Sequence, residues 1–166
     1  MHDAQCIAGI AFSSGLLGIV HSMAHKTGAA FSGDHIIHGC ANAMYLGKVI
    51  QFNARDERAR SRYAFIAKEV LHLAGETDEE LVAALVQKIR DLNDALDIPQ
   101  GIKNYGAGGV KADESIIDYA EFEAKKHDVA ANAILDACTL SNPRTPTQEE
   151  MEQLLECVYN DQDVDF

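Results

Sequence analysis

IAGIAFSSGLLGIVHSMAHKTG, residues 7–28, decides how the rest of the chain is read. From Ala4 to Lys26 nothing breaks a helix more strongly than Gly9, Gly15 and Gly18, and apolar side chains fall almost all round the helical wheel. A helix apolar on every side is one enclosed by others, so the pattern predicts a long buried core helix. Its apolar run, Ile7 to Val20, is 14 residues with Ser13 and Ser14 inside and no basic flank at its start. That is short for a membrane span and wrong for a secretory leader.

Outward from this stretch the pattern stays helical. Thr27 to Gly33 is turn-prone, and Ser32 or Asp34 is the expected cap of a second helix through HIIHGCANAMYLGKVIQFN. Asp56 to Leu73 forms the next helix, stopped by Gly75, and Thr77 with Glu80 makes a capping box before a stripe of Leu81, Leu85, Ile89, Leu92 and Leu96. DIPQGIKNYGAGGV, residues 97–110, is a loop, and its GAGG is a turn, since it lacks the Lys of a phosphate cradle. Asp113 to Ala137 is again helical. A final helix, Gln148 to Tyr159, follows the two prolines of LSNPRTPTQEE and is capped by Thr147 with Glu150. The expected fold is all-α, a single domain over residues 1–166 with six or seven helices, with a short strand near Val110 as the one exception considered.

The 166 residues carry a net charge of −12, which opposes nucleic acid and anionic membranes alike. ARDERARSR, residues 54–62, interleaves its basic residues with Asp56 and Glu57 and reads as a solvated helix face. Cys6, Cys40, Cys138 and Cys157 lie too far apart in sequence for a zinc knuckle or redox pair. They read as free thiols of a reducing compartment, which suggests a cytoplasmic protein.

Four of the seven histidines, His21, His25, His35 and His38, fall within 18 residues. His21 and His25 share one face of the first helix, and His35 and His38 share a face at the start of the second. If the intervening loop folds the second helix back, imidazoles from both helices meet, which suits a borderline divalent metal. The bland alternatives stand beside this: His25 next to Lys26 suits a helix C-terminus, and His35 beside Asp34 suits an exposed loop. The zinc-peptidase pattern fails, because Ser22 occupies the position where its glutamate base belongs.

GIAFSSGLLGIVHSMAHKTGAAF followed by HIIHGCANAMYLGKVIQFNA resembles the C-terminal half of the iron-containing (group III) alcohol dehydrogenases, with their G-x-A-F, H-x-M-A-H and H-G-x-x-N-A segments. TDEELVAALVQKIRDLNDALDIP and ACTLSNPRTPT extend the likeness to later helices and a CTxxNPR turn, over nearly the whole chain. The resemblance implies that His21 and His38 are metal ligands and that His25 serves the nicotinamide and the proton path. It implies further that Phe12 and Cys138 border the substrate pocket, and it assigns His35 no role. It implies Fe2+ or Zn2+ with an incomplete ligand set, because the family's Asp and first His lie upstream. NAD or NADP is implied only if the dinucleotide-binding domain, absent from this sequence, is supplied. The partner it implies is a small alcohol or aldehyde; further copies of the chain are also expected, and the charge and the short apolar run leave no nucleic acid and no membrane among the expected partners.

Departures from the family pattern bear on the site. Ser32, Gly33 and Asp34 look inserted, Ile37 and Gly47 stand where proline is common, and Leu140 replaces a small residue. Met1 falls inside what resembles a family helix, so a fragment, a truncated reading frame or a separate subunit, inactive alone, is expected. Two alternatives remain: a non-catalytic helical binding or self-association module, and a rebuilt metal site of His21, His25, Asp34 and His35 or His38.

Overall fold

A computed structural model describes residues 1–28, 30–31 and 35–166. The described residues form seven α-helices: α1 His2–Gly15, α2 Ile19–Thr27, α3 His38–Asn53, α4 Glu57–Phe65, α5 Asp78–Ala95, α6 Tyr119–Ile134 and α7 Gln148–Asn160. Among them there is no strand; the region near Val110 holds one isolated antiparallel bridge, Tyr105 with Lys111. The all-α expectation is met.

The expected long first helix is two helices. It breaks at Leu16–Gly18, where Leu16 takes φ 60° and Gly18 is extended, and α1 and α2 diverge by 103°. The cause lies far away in sequence. Asn142 Oδ1 accepts the Ile19 N–H at 3.3 Å, so a side chain from the far end of the chain satisfies one of the orphan N–H groups at the start of α2. A Cβ on Gly18 would stand 2.7 Å from that same oxygen, so the close approach needs glycine. The enclosed-helix expectation holds for α2, which buries Ile19, Met23 and Ala24, but not for α1, which buries nothing and exposes Ile7, Ile10 and Phe12, with Leu16 exposed at its end. Among the described residues no single helix is long and apolar enough to cross a membrane, although α1 and α2 together pass that test by length and composition.

α3 is the central element because it faces two cores. One packs Tyr45 and Phe52 of α3 with Ile19 and Met23 of α2, Phe122 of α6, and Met151 and Leu154 of α7. The other packs Ile50 with Ala64 and Ala67, and with Leu81, Val82, Leu85 and Val86 of α5. The stripe read on α5 is buried only in its first half, since Leu92 and Leu96 run off the core into solvent. At the far end Asp161 ends α7 in the left-handed conformation. Its carboxylate receives both Arg90 guanidinium nitrogens, at 2.6 and 2.8 Å, and Lys48 at 3.0 Å, tying α7 to α5 and α3.

Local signals at helix starts are faithful. Both capping boxes form, Thr77 with Glu80 and Thr147 with Glu150. α4 continues through a π-turn, Ile66–Val70, and the chain turns out at His72 with φ 54°. α6 starts later than expected, because the Asp118 side chain caps the Glu121 N–H and residues 113–118 pack as a loop around buried Ile117. α3 begins at His38 after Ile37; the expected caps Ser32 and Asp34 lie outside the described residues.

Asn142 also exchanges amide hydrogen bonds with buried Asn53, at 2.7 and 3.2 Å, and donates to the Arg144 carbonyl at 2.6 Å. Asn142→Ala would strand the Asn53 amide and the Ile19 N–H in a dry site, where each lost partner costs about 1–3 kcal/mol. Urea unfolding followed by helical circular dichroism is therefore expected to show a loss of about 3 kcal/mol. A change within about 0.5 kcal/mol would remove Asn142 from this structural role.

Candidate metal and proton-transfer site

α2 presents His21 and His25 on its outward face while its inward face is held fast. Ser22, wholly buried, is hydrogen-bonded to Thr139 Oγ1 at 2.7 Å, and the Thr139 hydroxyl donates to the Ala133 carbonyl at 2.7 Å. The position where a zinc peptidase carries its glutamate thus points into the core. Thr27 donates back to the Met23 carbonyl and receives the Tyr45 hydroxyl at 2.8 Å, so the end of α2 is pinned to α3.

The start of α3 is placed by the loop that carries GAGG. Buried Tyr105 accepts the Ile37 N–H at 2.8 Å and donates to the His35 carbonyl at 3.1 Å. A proline at position 37 would lack that N–H. Gly109, at φ 81°, lies against the first turn of α3, where an added Cβ would meet Cys40 Sγ at 2.6 Å. GAGG is a structural turn.

These constraints bring three imidazoles together. The ring centroids of His21 and His38 are 5.3 Å apart, those of His25 and His38 5.3 Å and nearly parallel, and those of His21 and His25 6.0 Å. Two imidazoles bound to one ion at ordinary metal–nitrogen distances have centroids roughly 5 Å apart. The extra length of the connecting loop does not prevent the meeting. His38 is oriented by Asn42, whose amide Nδ2 lies 3.0 Å from Nε2 and donates to the His38 carbonyl at 2.9 Å. Burial, and then the neighbouring His38 and His25, hold His21 below the usual histidine range, so it is neutral and able to ligate at neutral pH.

His35 stands apart. Its Nδ1 donates to the Gly28 carbonyl at 3.0 Å. Asp34 of the rebuilt-site alternative lies outside the described residues. Phe12 sits on exposed α1, and Leu140 faces solvent at 86% exposure.

Asp136, Lys26 and Cys138 complete the surroundings, and the first is not among the residues that sequence reasoning singles out. Asp136 ends the α6 region and caps the 3-10 turn Ala137–Ser141, receiving the Cys138 N–H at 3.0 Å. Its Oδ2 lies 3.2 Å from His25 Nδ1 and 3.0 Å from Lys26 Nζ. Burial opposes its ionisation, but the Cys138 N–H, Lys26 and His25 outweigh burial and leave its carboxyl well below the usual range. His25, Asp136 and Cys138 have donor atoms within 4.8 Å of one another, a second group able to approach a metal. Lys26 already neutralises its carboxylate, and burial followed by the Asp136 contact raises the Cys138 thiol. The signal that could have found Asp136 is an acidic residue opening the D-A-C-T turn, a capping position.

The family model described as "Fe-containing alcohol dehydrogenase family, C-terminal" matches residues 1–159. This chain belongs to that family. It is 50% identical, over its full length, to 39% of an NADPH-dependent butanol dehydrogenase from Clostridium saccharobutylicum. It is 35% identical, over 98% of its length, to 18% of the bifunctional aldehyde-alcohol dehydrogenase AdhE of Escherichia coli (strain K12). Among solved structures, the iron-containing alcohol dehydrogenase from Thermococcus thioreducens aligns with a TM-score of 0.72 and 32% identity, over 96% of this chain and 36% of that one. The chain thus spans well under half the length of these relatives.

The depressed Asp136 carboxyl fixes a sign. Its contribution to stability is fully present above the unfolded carboxyl pKa of about 4 and is lost as pH falls from there through the lower folded value. Asp136→Asn is expected to lower stability at about pH 6 and to lower it by clearly less at about pH 2.5, part-way between the unfolded and folded values, which thermal unfolding at the two pH values checks. An equal gap at both pH values would contradict it.

Proposed function

We propose that the chain is the metal-side domain of an NAD(P)-dependent alcohol dehydrogenase, acting between small alcohols and aldehydes. The observation that supports this most is the approach of His21 on α2 and His38 on α3 to 5.3 Å in a chain of this family. The donor set fits a ferrous or zinc ion: imidazoles from two rigid helices, on a face open to further ligands. His21 and His38 would hold the ion. When bound, a divalent ion supplies Lewis acidity toward an alcohol oxygen, and a nicotinamide cofactor accepts the hydride.

This chain's own residues then orient and move protons. His25, exposed beside both ligands, lies where it would meet the cofactor and carry the proton released from the alcohol. Cys138, half-buried in the turn after α6, would border the nicotinamide and substrate end. Phe12 would reach that pocket only from α1, whose apolar face has no cover among the described residues. That same uncovered face supports a second reading, a helical module that associates with another copy. A gel-filtration mass of one chain for the folded protein would count against that second reading.

Two imidazoles alone hold a transition metal weakly. The purified chain is therefore expected to bind one Zn2+ or Co2+ with modest affinity in calorimetry, and His21→Ala or His38→Ala to weaken it by at least about tenfold. With Fe2+, NAD or NADP and butanol, no turnover is expected without the additional chain that the longer relatives possess. Unchanged metal affinity in both variants would defeat the ligand assignment, and robust turnover would defeat the reading of the chain as an incomplete site.

A further inference from the structure

Asp136 and His25 are 111 positions apart, yet the structure sets them against one another in a way that decides which ring nitrogen carries the hydrogen. Asp136 Oδ1 receives the Cys138 N–H at 3.0 Å. Its Oδ2 faces the Lys26 ammonium at 3.0 Å and His25 Nδ1 at 3.2 Å. Only 11% of the Asp136 side chain is exposed, so the packing of three donors around it is not an accident of a free surface group. An ionised carboxylate has only acceptors to offer. The hydrogen between it and His25 must therefore belong to Nδ1.

We infer that Asp136 is a positioning residue that locks His25 in the Nδ1–H tautomer and so makes Nε2 a proton acceptor. The inference deepens the reading of His25 as the proton-path residue and rests on that reading for its catalytic meaning; the tautomer itself does not. In the forward direction a hydroxyl proton would pass to Nε2, leaving an imidazolium that carries hydrogen on both nitrogens. The carboxylate already at Nδ1 compensates the new charge without becoming protonated itself. The proton returns from Nε2 in the reverse direction. Side-chain exposure of 38% leaves the ring reachable, while the near-parallel contact with His38 at 5.3 Å and the Asp136 bond restrict its rotation. An imidazole free of Asp136 would favour hydrogen on Nε2 in water and would meet a hydroxyl as a donor, with the wrong polarity for removing a proton.

The test is the two-bond proton–nitrogen correlation spectrum of the histidine rings in the 166-residue chain at about pH 8, where an ordinary imidazole is neutral. The parent chain is expected to show His25 as Nδ1–H with a bare, pyridine-type Nε2. Asp136→Ser keeps a hydroxyl to cap the Cys138 N–H but is too short to reach His25, and it should shift His25 toward the Nε2–H pattern. An Nε2–H pattern for His25 in the parent chain, or an unchanged pattern in Asp136→Ser, would overturn the inference, and the parent spectrum is decisive even if the variant fails to fold. Failure of the metal-ligand assignment is read separately, from the His21→Ala and His38→Ala titrations.

Discussion

Everything at the site depends on one buried amide. Asn142, from the turn between α6 and α7, stops what would otherwise be a continuous helix by accepting the Ile19 N–H and crowding Gly18. Its own orientation is fixed by the reciprocal bonds to Asn53 at the end of α3. One side chain thus sets where α2 begins relative to where α3 ends, and that offset carries His21 and His25 toward His38. Arg144 seals the junction from outside, lying over the Phe52 ring at 3.9 Å and donating to the Phe52 and Phe166 carbonyls. The polar residues of the N-P-R turn are therefore structural members, although they stand close in sequence to Cys138 and Asp136, which face the histidines.

What can be read from the sequence follows the range of the interaction responsible. Thr77 with Glu80 and Thr147 with Glu150 are local, each box closing over three residues, and both helix starts fall where the pattern places them. The His21–His38 meeting is legible because a short loop between two helices leaves few geometries. The break at Leu16–Gly18 is not legible, because the glycines there permit a helix and the group that forbids it lies more than a hundred residues later. Asp136 escapes sequence reading for the same reason, since its partners His25 and Lys26 belong to the opposite end of the chain.

The departures from the family pattern now have physical content. Ile37 supplies an N–H that Tyr105 uses to hold the entry to α3, so a position usually given to proline does a different job here. Gly47 makes only ordinary contact with Val86 on α5, at 3.5 Å from where a Cβ would stand. The remaining anomaly is α1, an apolar helix with no buried residue on a strained hinge at Leu16. Its exposed side chains mark the face on which this chain is least self-sufficient, and Phe12 belongs to that face.

The proposed function rests on anchored α2 and α3 holding the His21 and His38 rings 5.3 Å apart, close enough to share one cation. Pulsed electron paramagnetic resonance of the chain loaded with one equivalent of Cu2+ tests it directly, because modulation from the remote imidazole nitrogens counts the histidines bound. Two coordinated imidazoles are expected, falling to one in His21→Ala and in His38→Ala and staying at two in His25→Ala. A single imidazole in the parent chain, or a count that falls only when His25 or His35 is removed, would contradict the account.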